Sequence, residues 1–237
     1  MVNYMFKART VDAYVLKTLI DLLQHNLKIA YFKLMRDGIY LRMMDAGQKL
    51  LFNIHMDAMQ FNSYKYKFTE PNYNIGVNLL HLFKMIKSIK KKDTLTLFIR
   101  EGSSDLGIEV SPKDNSRVTT SYLKTHSMEN IDIEMPSGYI NSIIINSSEY
   151  QKMCKDMNSI GPLITIYSNL NGSITFKCDD NNVFKREVTF GNAESDSDEE
   201  EVNINTKCYS EIYNTEQLYR ITKISGLHTK LNIYVQD

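Results

Sequence analysis

Four stretches of this chain place apolar residues three and four positions apart, the spacing of one helical face. The first runs from about Val11 to Leu23, with Val11, Val15, Leu16, Leu19, Leu22 and Leu23 on the apolar side. The second runs from about Asn78 to Lys91, with Leu79, Leu82, Phe83, Ile86 and Ile89 on one face and Asn78 as a candidate N-cap. The third, about Glu149 to Ser159, carries Tyr150, Met153, Cys154 and Met157, with Ile160 beyond, and Ser148 with Gln151 fits a capping box. The fourth, about Glu216 to Ile224, carries Leu218, Ile221 and Ile224, with Thr215 as a candidate cap. The helix starts are about 67 to 71 residues apart.

Between them lie short runs rich in β-branched and aromatic residues: KIAYFKLM, IYLRMMD, LLFNIHM, TLTLFIR, LGIEV, RVTTSYL, then GYINSIII, LITIYS, SITFKC, VFKREVTF and TKLNIYV. The pattern predicts an α+β chain in which a strand–helix–three-strand unit recurs about four times. Asp37-Gly38 and Asn171-Gly172 each suit a tight hairpin turn, and their glycines are 134 residues apart (172 − 38). This predicts two similar domains, residues 1–125 and 138–237, joined by a connector at 126–137, where THSMENIDIEMPSG loses helical periodicity. The fourth unit has only HTKLNIYVQD after its helix. By the repeat, the second domain is expected to lack its last strands, about 20 to 25 residues.

Charge changes this picture through its placement. The 28 basic and 28 acidic residues sum to zero. Lys87, Lys90, Lys91 and Lys92 nevertheless cluster, and so do Glu194, Asp196, Asp198, Glu199, Glu200 and Glu201, the latter read as a solvated loop. Opposite the apolar faces stand Lys84, Lys87 and Lys91 on the second helix, Lys152 and Lys155 on the third, Arg220 and Lys223 on the fourth, and Lys17 on the first. One such stripe is commonly a solvated face. Recurring in a repeat, the stripes form a track for phosphates, which give affinity without sequence information. No aromatic platform interleaves with these bases, so duplex backbone is the expected ligand.

Catalytic signals are missing. No histidine falls in a metal-ligand spacing, and His55-Met56-Asp57 reads as strand residues rather than a dyad. The phosphate-loop and nucleophile-elbow motifs do not occur. Cys154 lies on an apolar helix face, where packing outweighs nucleophilic use. Cys154, Cys178 and Cys208 are too far apart for a metal knuckle and odd in number, which predicts a reducing compartment. No apolar run is long enough to span a bilayer, and MVNYMFKART has no signal-like apolar core. We expect no enzyme activity, cofactor or membrane partner.

The words MFKARTVDAYVLKTLIDLL, DGIYLRMMDAGQKLLFNIHM, NIGVNLLHLFKMIKSIKKKDTLTL, SSEYQKMCKDMNSIG and DEEEV resemble the proliferating cell nuclear antigen family, the DNA polymerase clamps of eukaryotes and archaea. The GVNLxxLxKxxK word of the second helix is the most specific. The resemblance implies the DNA-clamp fold: two domains of β-α-β-β-β units, with helices lining the interior of a head-to-tail homotrimeric ring and sheets outside. Twelve helices at about 8–10 Å spacing trace a circle of roughly 30–38 Å. Subtracting about one helix diameter leaves room for a duplex. The implied role is a processivity factor that surrounds duplex DNA, tethers DNA polymerase, meets a clamp loader and recruits PIP-box replication and repair proteins.

By the same resemblance Lys17, Lys84, Lys87, Lys152, Lys155 and Lys223 match basic pore positions, with Arg220 a further candidate, while Thr18, Gln24 and Glu216 replace bases. Met44, Gln48 and Leu51, with Ile131 and Ile133 on the connector, match the partner-peptide pocket; Gln48 stands where animal clamps carry histidine. Subunits are expected to join by edge strands Arg117–Leu123 and Val183–Phe190, through Val118, Tyr122, Phe184 and Val188. A subunit of a heterotrimeric or checkpoint-type clamp, and a monomeric clamp-fold DNA-binding factor, stay open as alternatives. The richness in Asn, Ile, Lys and Tyr suits an A/T-rich genome. A cellular clamp would act in the nucleus, one encoded by a large DNA virus at a cytoplasmic replication site.

Overall fold

The computed structural model describes residues 3–114, 116–127, 133–169, 172–180, 184–191 and 207–236. The chain divides into two compact units, Met1–Glu134 and Met135–Asp237. In the first, β1 (Tyr4–Thr10) leads into α1 (Ala13–Gln24), followed by β2 (Ile29–Met35), β3 (Gly38–Met44) and β4 (Leu51–Asp57). A 3-10 turn (Ala58–Gln60) and β5 (Ser63–Tyr66) precede β6 (Asn72–Asn78), α2 (Leu79–Ile86), β7 (Thr94–Arg100), β8 (Leu106–Ser111) and β9 (Thr119–Leu123). These strands form two antiparallel sheets, ordered β5-β1-β7-β8-β9 and β4-β3-β2-β6.

Phe6, Ala8 and Thr10 of β1, and Ala30, Phe32 and Leu34 of β2, are buried while their neighbours are more exposed. That is the period of a sheet covered on one face. The cover is helical. A small apolar cavity is lined by Leu16 and Ile20 of α1, Leu82 and Ile86 of α2, and Phe6, Phe32 and Ile75 from the strands. Both helices and both sheets therefore meet in one core.

The second unit comprises β10 (Tyr139–Asn146), α3 (Ser147–Ile160), β11 (Leu163–Asn169), β12 (Ile174–Asp180), β13 (Phe184–Phe190), β14 (Lys207–Asn214), α4 (Thr215–Arg220), a 3-10 turn (Thr222–Gly226) and β15 (Lys230–Gln236). Its sheet order β13-β12-β11-β14 parallels β4-β3-β2-β6, and β10 pairs with β15 as β1 pairs with β7. Tyr150, Met153, Cys154 and Met157 of α3 pack with Ile143, Ile164, Ile174 and Phe176. Among the described residues β15 pairs only with β10, whereas β7 is flanked by β1 and β8. Gly172 has φ +83°, the left-handed region that its predicted turn requires; Asn171 lies outside the described residues, as do Glu194 to Glu201.

Several local expectations need correction. On α1, Val11 and Val15 are 50% and 44% exposed, and the buried set is Ala13, Leu19, Ile20, Leu22 and Leu23. The helix begins at Ala13, so its inward face is rotated from the one the valines suggest. The second helix ends at Ile86, and the chain turns at Lys87 before burying Ile89. Strands β1, β5, β6 and β14 fall outside the runs that composition marks as strands. Segments such as SYKY and KCYSEIYN, whose tyrosines suit strands, take their place by pairing with β1 and β11.

The caps of α3 and α4 are neither Ser148 nor Thr215. Asn146 Oδ1 accepts from Ser148 N and Asn214 Oδ1 from Glu216 N, as Asn78 Oδ1 accepts from His81 N in α2. The three asparagines stand a constant 68 residues apart, each closing a strand and opening a helix. On α1 the N-cap Asp12 makes no side-chain cap bond, and its own N–H donates to Thr10 Oγ1. Alanine at Asn78, Asn146 or Asn214 should each lower the unfolding free energy by about 1 kcal/mol, while Asp12→Ala should cost little. Denaturant titration of the four variants checks this, and equal losses at all four would refute it.

Candidate functional site

The first residue after each asparagine cap is buried, Leu79, Ser147 and Thr215, and so is Thr10 at the end of β1. Counted from these residues, positions three, six, seven and ten turn inward. They hold Leu82, Met85, Ile86 and Ile89 in the second repeat and Tyr150, Met153, Cys154 and Met157 in the third. The fourth holds Leu218, Ile221, Thr222 and Ser225, and the first Ala13, Leu16, Lys17 and Ile20.

This phase leaves positions five and eight outward. They are Lys84 and Lys87, Lys152 and Lys155, Arg220 and Lys223, but Val15 and Thr18 in the first repeat. Lys84, Lys87, Lys152 and Lys155 are exposed and, among the described residues, make no side-chain hydrogen bond or ion pair. Arg220 pairs with Glu216 one turn earlier, at 2.6 Å. Lys223 sits on the 3-10 turn rather than on α4 itself.

Two predicted contact residues are placed differently. Lys17 occupies an inward position, matching Ile86, Cys154 and Thr222. Half-buried, it donates to the Ile89 carbonyl at 2.9 Å and lies over the Tyr14 ring, tying α1 to the segment after α2. Gln151 makes a comparable tie in the second unit, donating to Thr222 O. Lys91 falls beyond the end of α2, in a turn, so the helical stripe stops at Lys87. Thr18, in place of an outward base, donates its hydroxyl to Tyr14 O.

Of the residues matching a peptide pocket, Met44 ends β3, Gln48 lies in the β3–β4 loop, Leu51 opens β4 and Ile133 lies on the connector. Met44 pairs in register with Leu51 and is 39% exposed. Between them, Asp45 organises the loop. Its buried carboxylate accepts from Lys49 N at 2.7 Å and Leu50 N at 2.8 Å, and its carbonyl accepts from Gln48 N. That frame holds Gln48 at φ +53°, a left-handed conformation uncommon outside glycine and asparagine. No spacing rule in the sequence announces it. Ile133 is half-buried, and its carbonyl is held by Arg42, a residue that sequence reasoning misses. Ile131 lies outside the described residues.

Strand β9 is an edge of its sheet and β13 an edge of the other unit's sheet. Val118, Tyr122 and Phe184 are about half exposed. Tyr122 meets Phe98 edge-on and lies beneath the Arg100 guanidinium. Val188 departs from expectation: it packs against the second unit's own core. The predicted strand's first residue, Val183, lies outside the described residues.

Cys154 and the His55 and Asp57 side chains each have local partners. Burial pushes the Cys154 thiol up to about 12, leaving it protonated at neutral pH. His55 stacks on Tyr40, and Asp57 accepts from Met59 N. Among the described residues no group of three or more His, Cys, Asp or Glu could hold a metal ion, and no helix is long and apolar enough to cross a membrane.

Residues 5–135 match the family model described as proliferating cell nuclear antigen, N-terminal domain. An uncharacterised protein of Invertebrate iridescent virus 6 is 29% identical over 185 residues, 70% of this chain and 60% of that protein's length. A probable DNA polymerase sliding clamp of Paramecium bursaria Chlorella virus 1 is 24% identical over 241 residues, 99% of this chain and 89% of the relative. The proliferating cell nuclear antigen of Dictyostelium discoideum is 31% identical over 171 residues, 71% of this chain and 65% of the relative. The crystal structure of the Entamoeba histolytica proliferating cellular nuclear antigen superposes with a TM-score of 0.82 at 19% identity, covering 98% of this chain and 90% of that one, which shows the α+β clamp fold.

The inward position of Lys17 yields a distinct expectation. Lys17→Met keeps the aliphatic packing and removes the bond to Ile89. It should lower stability by about 1 kcal/mol and leave duplex affinity nearly unchanged. Lys84→Met should do the reverse. Denaturation and low-salt duplex binding, measured on both variants, separate the two roles.

Proposed function

The chain belongs to the proliferating cell nuclear antigen family of DNA sliding clamps, and on that premise we propose that it closes around duplex DNA as a ring of identical subunits and tethers a DNA polymerase. The observation that carries this reading is the pair of outward positions, five and eight, filled by bases in three of the four helical repeats. A zero net charge gives no general attraction to polyanions. A fixed pair of cations on successive helices supplies local attraction to phosphates with no preference for sequence, which suits a non-catalytic protein that must move along any duplex. Lys84, Lys87, Lys152 and Lys155 are the main contacts, with Lys223 and the ion-paired Arg220 secondary.

Subunits join through the edge strands β9 and β13, which offer unpaired backbone groups beside exposed Tyr122 and Phe184. Replication and repair proteins dock by PIP-box peptides at Met44, Leu51 and Ile133, where the flexible methionine adapts to different aliphatic anchors. A clamp loader would open the ring onto DNA. The site of action is the nucleus for a cellular clamp and the viral replication site for a virus-encoded one.

Three measurements on the purified full chain test the reading. Sedimentation should give a trimer, and a monomer would favour a mixed-subunit ring instead. Once loaded, the protein should stay on closed circular DNA and slide off linear DNA. A steep loss with salt on both forms would indicate binding by charge alone. Joint Lys84→Glu and Lys87→Glu should reduce loading or sliding while preserving the trimer and peptide binding; unchanged DNA association would reduce the stripe to a solvated face.

A further inference from the structure

We propose that Arg42 is the positioning residue that sets where the connector runs past the partner-peptide pocket. The inference rests on the pocket reading above and adds to it a residue outside the pocket lining.

The register of β3 against β4 pairs Met44 with Leu51, Arg42 with Asn53, and Tyr40 with His55. Residues two apart on a strand share a face. An apolar pair, a polar pair and a stacked aromatic pair therefore form one row, while Ile39 and Leu41, on the opposite face of β3, are buried. The middle pair is where the connector is held. Arg42 Nε donates to Asn53 Oδ1 at 3.1 Å, and its Nη1 donates to the Ile133 carbonyl at 3.0 Å. One guanidinium thus links the cross-strand neighbour to the connector main chain.

Arginine suits this task because its planar fork presents several N–H groups in fixed directions. Asn53 takes one of them and so orients the fork; a second then points at Ile133. The acceptor is a backbone carbonyl, so the contact fixes the path of the chain whatever side chain stands at 133. With the carbonyl bonded to the residue pair next to Met44 and Leu51, the connector main chain at 133 is held in place before any peptide arrives. Ordering in advance removes an entropic cost from binding. Both hydrogen bonds are at exposed side chains, so the tether is modest in strength and acts on affinity rather than on folding.

The test uses the full-length assembled protein and three variants: Arg42→Ala, Arg42→Lys and Asn53→Ala. Amide hydrogen exchange is followed around Ile133 without peptide. Affinity is then measured for a synthetic PIP-box peptide with its aliphatic and two aromatic anchors. Arg42→Ala should speed exchange around Ile133 and weaken the peptide about tenfold, the order expected when both hydrogen bonds are lost, with thermal stability and DNA retention unchanged. Arg42→Lys should fall between. Asn53→Ala, which removes the orienting partner and no connector contact, should move both readouts the same way but less. Unchanged exchange in Arg42→Ala overturns the proposal, and weakened peptide binding with unchanged exchange overturns it in favour of direct contact. If the unmodified protein ignores the peptide, the pocket reading fails, while the exchange data still decide the tether.

Discussion

A helix that lies on a sheet by one face has no freedom in what it shows on the other. That constraint governs this chain. In each repeat a strand ends, the helix begins, and inward side chains at fixed steps lock its rotation. The rotation in turn decides which positions face solvent, positions five and eight among them. Bases fill those two on three repeats. Nothing in the local chemistry of Lys84 or Lys152 marks them off from any other surface lysine; their significance comes from the cores behind them, Ile86 and Ile89 in one case, Met153 and Met157 in the other.

The sequence is legible where this phase is simple. The apolar faces of α2 and α3 follow directly from spacing, as does the α+β order of elements. It misleads on α1, because Val11 and Val15 fit a helical period while the chain starts its helix two residues later than Val11 and turns both outward. Lys17 then looks like one more member of a basic stripe, although it is half-buried and donates to the Ile89 carbonyl. The asparagine caps show the opposite case. Ser148 and Thr215 satisfy the usual preferences, yet the residue immediately before each helix takes the role, and only alignment of the second, third and fourth repeats singles it out.

The residues proposed for a peptide pocket are named by the resemblance, but the frame that holds them is not legible in the sequence. Met44 and Leu51 are adjacent because β3 and β4 are in register, and the resemblance alone brings in Ile133. What holds these pieces is polar and distant in sequence. The Asp45 carboxylate gathers the amides of its own loop and keeps Gln48 in an unfavourable backbone region. Arg42 spans 91 positions to reach the connector. Such contacts leave no periodic trace, since each depends on two segments meeting only after folding.

The small apolar cavity in the first unit adds a physical property to this frame. It lies where Leu16, Ile20, Leu82 and Ile86 meet the strands, the same side chains that set the helices in phase. Void space in a folded state is volume that unfolding gives back, so hydrostatic pressure favours the unfolded form in proportion to it. Compression would therefore bear on the contacts among α1, α2 and the strands that line this space.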